Sequence, residues 1–206
     1  MNSLNKNNFL VSVVIPCYNV QEYIKNCIES ALNQTYKLFE LIIVDDSSDD
    51  QTIKIVKEIQ KKDKRIKLFS LNNIDSKPTG SGSKARNEGI NKAKGEIIAF
   101  LDSDDLWDRN KLQKQISEFK PSTIISFTKC KYWFRGRVNK ERFIKEKFIN
   151  FSLNNLPEGI LLYNPLRLSS VMIKKSFFDK VKFSEDKEAN AAEDLDLWLN
   201  LFFGDK

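Results

Sequence analysis

The chain has 206 residues, 41% of them hydrophobic, with three cysteines and no histidine, which is enough for one domain with a real core. Lacking histidine, it has no use for the commonest general base, the usual catalytic triad or most zinc sites, and proton transfer near neutral pH falls to Asp, Glu, Lys, Tyr or Cys. The net charge of +6 is local: Lys129 to Asn150 holds eight Lys or Arg against two Glu, and elsewhere the charges balance at 26 against 26, so the feature to explain is a basic patch.

Leu10 to Ile15, closed by Pro16, reads as a first buried strand. In the following segment Tyr23, Ile24, Cys27, Ile28, Ala31 and Leu32 fall on one helical face. Phe39 to Val44 is a second buried strand, ending in Asp45, Asp46, Ser47, Ser48, Asp49 and Asp50. A second helix carries Ile53, Val56 and Ile59, and Ile66 to Leu71 is a third strand, more polar and so expected near an edge. Asn72 to Ser83, with Pro78, Gly80 and Gly82, is a loop. Lys84 to Lys94 can form a third helix with Gly95 as its C-cap. Glu96 to Leu101 is a strand running into Asp102, Ser103, Asp104 and Asp105, and Asp108 is expected to N-cap a helix reaching Phe119. Thr123 to Phe127 is a further strand.

This alternation predicts a mostly parallel sheet covered on both faces. The carboxylate clusters after the second and fourth strands then open on one edge, where open α/β sheets bind ligands. Asp102 and Asp104, two apart, can point at one hard divalent cation, which commonly holds a phosphate-bearing substrate as well; a lone DxD is otherwise a solvated acidic turn.

From Lys129 onward, Tyr132, Trp133, Phe134, Phe143 and Phe148 interleave with basic residues, in the manner of a strand pair or an irregular excursion. Ser169 to Ile173 reads as a strand, Ser176 to Val181 as a short helix and Ala189 to Phe203 as a helix with Leu195, Trp198, Leu199 and Phe202 on one face. No apolar run approaches the roughly 18 to 20 residues that span a bilayer, and MNSLNKNN has no signal-peptide core, so a cytoplasmic protein is expected. The cysteines, Cys17, Cys27 and Cys130, lack CxxC spacing and read as reduced and structural.

The segments VSVVIPCYN, ELIIVDDSSDD, SKARNEGINKAKGEIIAFLDSDD and AEDLDLWL stand in that order. Together they resemble the family 2 inverting glycosyltransferases, which use nucleotide sugars. The resemblance runs from about Phe9 to Phe203 and implies one GT-A domain, Rossmann-like, a three-layer αβα with a mostly parallel sheet and a smaller acceptor-side region. Residues 9–128 would be the nucleotide-sugar-binding half and 129–206 the acceptor-side half. Relatives usually continue beyond the point where this chain stops, which implies truncation of that half.

The resemblance also implies roles. Asp104 is the direct ligand of a divalent metal, Mn²⁺ or Mg²⁺, and Asp102 contacts the ribose or the metal, with Ser103 in the same nucleotide-binding turn. Asp105 reads equally as motif or as a helix cap. Pro16, Tyr18 and Asn19 lie where the family places the base, Asp46 would accept a hydrogen bond from N3 of uracil, and Asp45 shapes the loop. Asp49 would cap the second helix. Arg86 and Asn87 would brace the acidic edge, and Lys84 reads either as a phosphate ligand or as a solvated lysine. Asp194, second acid of the Glu193–Asp194 pair, is the implied general base for an acceptor hydroxyl.

The expected function is therefore sugar transfer, without processivity since no QxxRW is present, from a UDP-sugar to a glycan or lipid-linked acceptor of a surface polysaccharide. Asn200 and KVKFSED depart from the family, which often has an arginine and a glycine-rich turn there. The 129–150 segment would suit an anionic surface at the inner face of the plasma membrane or a lipid-linked diphosphate; a solvated excursion explains it equally. Nucleic acid is disfavoured for want of a binding motif. The alternatives are a nucleotide-binding module without transfer activity, and a nucleotidyltransferase, which should carry a glycine-rich loop where CYNVQEY stands.

Overall fold

The computed structural model describes residues 8–71, 82–128, 130, 132–134, 137–139, 149–151, 166–186 and 192–203. Strands β1 (Val11–Cys17) and β2 (Phe39–Asp45) are buried at every position, as expected of strands covered on both faces. Between them α1 (Ile24–Leu32) buries Ile24, Cys27, Ile28 and Ala31 at helical spacing. Next come α2 (Thr52–Gln60), β3 (Ile66–Ser70), α3 (Ser83–Lys92), β4 (Ile97–Phe100) and α4 (Lys111–Glu118). Short strands β5 (Ile125–Phe127), β6 (Tyr132–Phe134), β7 (Arg137–Asn139), β8 (Ile149–Phe151) and β9 (Val171–Lys174) precede α5 (Glu193–Phe203).

The main sheet has seven strands in the order β3-β2-β1-β4-β9-β5-β8, and β6 pairs with β7 separately. The pairs β3–β2, β2–β1 and β1–β4 are parallel. β9 runs against both β4 and β5, and β8 runs against β5. The polar β3 is the edge strand its composition predicts.

Alternation along the strands separates two apolar layers. Val11, Val13 and Ile15 pack with α1, Val56 of α2 and Leu112 and Ile116 of α4. Val14, Ile42 and Val44 pack with Ala85 and Ile90 of α3 and with Leu197, Trp198 and Leu201 of α5. Phe100 joins the second layer edge-on to Phe183, with ring centroids 5.3 Å apart.

Several expected boundaries shift. Gly95 is not the C-cap of α3, a position Ala93 takes. A Cβ on Gly95 would stand 2.5 Å from the Leu10 carbonyl oxygen, so glycine is required there for close strand approach. Its N–H donates to Ser12 Oγ, which in turn donates to buried Glu40 at 2.6 Å. Asp108 does not cap α4 directly. Its carboxylate accepts from the Asn110 N–H at 3.0 Å, an Asx turn that delays the helix to Lys111. The stretch 175–179 is a 3₁₀ helix, ending earlier than the expected 176–181 helix. The expected loop at 72–83 lies largely outside the described residues, as does most of the 129–150 segment.

Candidate active site

Strand order locates the crevice. The chain leaves β1 to one side for β2 and β3, then crosses to β4 on the other, so the carboxyl ends of β1 and β4 diverge at a switch point. β1–β4 pairing ends at Val14 with Phe100, and the Leu101 N–H donates to Val14 O at 3.1 Å. Pro16, two residues on, turns its missing N–H to that same side, where β4 no longer needs a donor. Pro16 is buried in β1 and shapes the opening from within.

Beyond β1, Tyr18 is 42% exposed and faces outward. Asn19 has φ 49°, in the left-handed region. Both ends of its amide are taken by Asp49: Nδ2 donates to Oδ1 at 2.7 Å and Oδ1 accepts from the Asp49 N–H at 2.9 Å. The Val20 N–H donates to Thr52 Oγ1 and the Gln21 N–H to Asp50. These bonds zip the β1 and β2 loops into one platform below Tyr18. Asp49 is thus the partner of Asn19, and it is Asp50 that accepts from the Thr52 N–H at the start of α2, which corrects the expected cap. Asp45 accepts from the Ser48 N–H and so shapes the loop; Asp46 is 4% exposed beside it, with its N–H on Cys17 O.

After β4, Asp102 is half-buried, Ser103 is buried, and Asp104 and Asp105 are exposed. The Asp102 N–H donates to Ser169 Oγ at 3.0 Å, and Trp107 Nε1 donates to Ser169 O at 2.7 Å. Partial desolvation and the neighbouring charges of Asp102 and Asp104 raise the pKa of Asp105, against a bond with Ser169. Asp105 lies six residues ahead of α4 and is not its cap. Among the described residues no three acidic or cysteine side chains converge on one point able to hold a metal. The turn offers hard oxygen donors crowded enough to repel one another, a set that fits a divalent cation completed by phosphate oxygens and water.

Across the crevice, Gly82 is the N-cap of α3, at φ 69°. Lys84 sits half-buried in its first turn, and Arg86 is 7% exposed. Arg86 Nη2 donates to Asp102 Oδ1 at 2.8 Å, and Nη1 donates to Glu193 Oε1 at 3.3 Å. Asn87 holds both backbone groups of Phe183, donating to its O and accepting from its N at 3.0 Å each, and also bonds Glu185. The Glu193–Asp194 pair opens α5 and therefore stands at the edge that carries the acidic turn. Asp194 is half-buried, and its Oδ1 accepts from the Leu195 N–H at 2.7 Å.

Ser169 and Gly82 had no distinguishing signal in the sequence as site-shaping residues. Ser169 precedes an ordinary apolar run, and Gly82 reads as a loop breaker.

An open, mostly parallel sheet with an acidic switch-point crevice and an acidic helix start beside it has the architecture of the GT-A fold. The model described as Glycosyl transferase family 2 matches residues 12–178, and the chain belongs to that family. It is 35% identical over 188 residues to an uncharacterized glycosyltransferase of Haemophilus influenzae, covering 91% of this chain and 71% of that one. It is 36% identical over 197 residues to UDP-Glc:alpha-D-GlcNAc-diphosphoundecaprenol beta-1,3-glucosyltransferase WfaP of Escherichia coli, covering 93% and 70%. The crystal structure of Staphylococcus aureus TarS 1–349 in complex with UDP superposes with a TM-score of 0.75 at 26% identity, over 94% of this chain. This chain spans 55% of that solved chain. Among the described residues no helix is long and apolar enough to cross a membrane.

Proposed function

We propose that the chain transfers a sugar, with inversion, from a UDP-sugar to a hydroxyl of a glycan or lipid-linked acceptor in surface polysaccharide synthesis. The observation that carries this reading is the Arg86 fork, which joins the acidic turn after β4 to the first turn of α5. This link supports reading Asp102 as a donor-side carboxylate and Asp194, the neighbour of Glu193, as the base of the same crevice. The UDP bound to TarS and the UDP-Glc and diphosphoundecaprenol in the name of the E. coli relative support the donor and acceptor classes.

In this reading Tyr18 lines the base, Asp46 reads the uracil ring, and Ser103 and Lys84 belong to the nucleotide site. Asp102 has one oxygen on Arg86, which leaves exposed Asp104 as the direct ligand of Mn²⁺ or Mg²⁺, with Asp102 beside it. An ion held there would offset the charge that builds on the β-phosphate oxygen. Asp194 takes the proton of the acceptor hydroxyl as that oxygen bonds to the anomeric carbon and the bond to the β-phosphate breaks, releasing UDP. Residues 9–128 bind the donor and 129–206 contribute the acceptor side.

The test is calorimetric titration of UDP with and without Mn²⁺ into the wild-type chain and Asp104→Ala, followed by turnover of UDP-sugars by the wild type and Asp194→Asn. Metal-dependent binding should vanish in the first variant. The second should keep UDP affinity and lose about 10²- to 10⁴-fold in kcat. No UDP binding by the wild type overturns the nucleotide assignment, and binding without turnover marks a nucleotide-binding module instead.

A further inference from the structure

Arg86 is separated from its two carboxylate partners by 16 and 107 residues of sequence. Its guanidinium is almost wholly buried, with Cζ 5.6 Å from the Phe183 ring centroid. Glycine at 82 leaves it room: a Cβ there would lie 3.0 Å from Arg86 Nη1, close enough that the guanidinium would have to give by a few tenths of an ångström. Such a planar fork can serve two carboxylates at once, as a lysine ammonium on its flexible stem cannot in the same geometry.

The Glu193 carboxylate depends on this contact. Oε2 is buried without a hydrogen-bond partner, and among the described residues Arg86 alone bonds Oε1. The side chain is 15% exposed, and a carboxylate so largely withdrawn from water is destabilised when its one charged partner leaves. The later turns of α5 are fixed differently, by Leu197, Trp198 and Leu201 in the apolar layer beneath Phe100. The helix therefore has an apolar anchor along its length and an ionic anchor at its start, next to Asp194. Asn87 ties the approach to α5 to the same turn of α3 through Phe183 and Glu185.

We propose that Arg86 is a positioning residue that acts through Glu193: it sets where the first turn of α5, and with it Asp194, stands relative to Asp102. Resting on the proposed transfer reaction, this makes the donor turn and the base one coupled unit. Glu193 then serves the reaction without touching the sugar, by keeping its neighbour within reach of the acceptor oxygen.

Glu193→Gln and Arg86→Lys in the full chain test this through steady-state kinetics, UDP titration with Mn²⁺ and ligand-free amide exchange. Glu193→Gln should lower kcat by about 100-fold, the scale of a displacement of about 1 Å, while donor KM and UDP affinity stay within about threefold. Amides at the start of α5 should exchange about tenfold faster, with those of β1 and β2 unchanged. Arg86→Lys should lower kcat and weaken metal-dependent UDP binding together, and adding Glu193→Gln to it should cost little more. Unchanged kcat and exchange in Glu193→Gln overturn the proposal. Faster exchange throughout the sheet also overturns it, since that marks general loosening. If the wild type turns over no UDP-sugar, the transfer reading fails, and local exchange at α5 still decides whether Arg86 anchors it through Glu193.

Discussion

Asn19 and Asp49, thirty residues apart, exchange two hydrogen bonds at 2.7 and 2.9 Å and so lock the loop after β1 to the loop after β2. The lock has a backbone component, since Asn19 sits at φ 49°, where asparagine is tolerated far better than most residues. Asn19→Ala should lose about 1–3 kcal/mol through both causes, and Asn19→Gly should lose less because glycine accepts the angle. Urea denaturation of the pair separates the two contributions. Both variants should also bind UDP more weakly by releasing the platform below Tyr18, and unaltered affinity would show that the platform plays no part in nucleotide binding.

Gly82→Ala should damage the site out of proportion to its size. A Cβ would meet Arg86 Nη1 at 3.0 Å while the backbone holds φ 69°. The backbone strain is about 1–2 kcal/mol, and the displaced guanidinium loosens Asp102 and Glu193 together. The expected result is a modest drop in Tm with a large drop in kcat; a variant with lower Tm and intact kcat would separate Gly82 from the site.

Gly95→Ala makes a contrast at the opposite edge of the sheet. Its Cβ would lie 2.5 Å from Leu10 O and 2.7 Å from Ser12 N, backbone atoms that cannot retreat as a side chain can. Overpacking of this kind costs about 1–3 kcal/mol or more. The urea midpoint should fall clearly, while the fraction that remains folded binds UDP as the wild type does.

Lys111 predicts an unusual pH dependence. It is 6% exposed, its ammonium lies 4.1 Å from the Trp107 ring centroid, and it has no hydrogen-bond partner among the described residues. Desolvation lowers its pKa to about 7, opposed by the nearby Cys130. In the unfolded chain a lysine titrates near about 10.4. Between these values the unfolded state holds the extra proton, so this group makes stability rise with pH by up to about 1.4 kcal/mol per unit, and its penalty is complete below about pH 7. Lys111→Met should therefore stabilise the protein most near pH 7 and progressively less towards pH 10. The buried thiols of Cys17 and Cys27, whose pKa values burial raises, give an opposing slope at high pH that cancels between variant and wild type. Equal stabilisation at pH 7 and 9.5 would rule out the desolvated amine as the cause.

What could be read from the chain alone were features that sequence neighbours create. The apolar runs of β1, β2 and β4 and the acids that end them lie within a few residues of one another, and the alternation with helices orders them. Pairings that depend on the folded arrangement were out of reach. Asn19 meets Asp49 only because β1 and β2 are adjacent, and Arg86 meets Glu193 only because α3 and α5 share one face of the sheet. Boundary errors had local causes of comparable strength. Asp108 and Asn110 both compete for the start of α4, and Gly95 looks like a helix terminator although its role is to let a strand edge come close.

Because β9 runs against β4, its amino end arrives at the same rim as the carboxyl end of β4, and Ser169 comes with it. The hydroxyl that receives the Asp102 N–H thus belongs to the 3₁₀ turn Leu168–Ser170 that leads directly into a strand paired rung by rung with β4, Ile97 opposite Lys174 through Ala99 opposite Met172. Chain inserted or removed between β5 and β9 leaves those rungs in register. Changes of length between those two strands should therefore leave the Asp102–Ser169 contact, and with it the acidic rim, where it is.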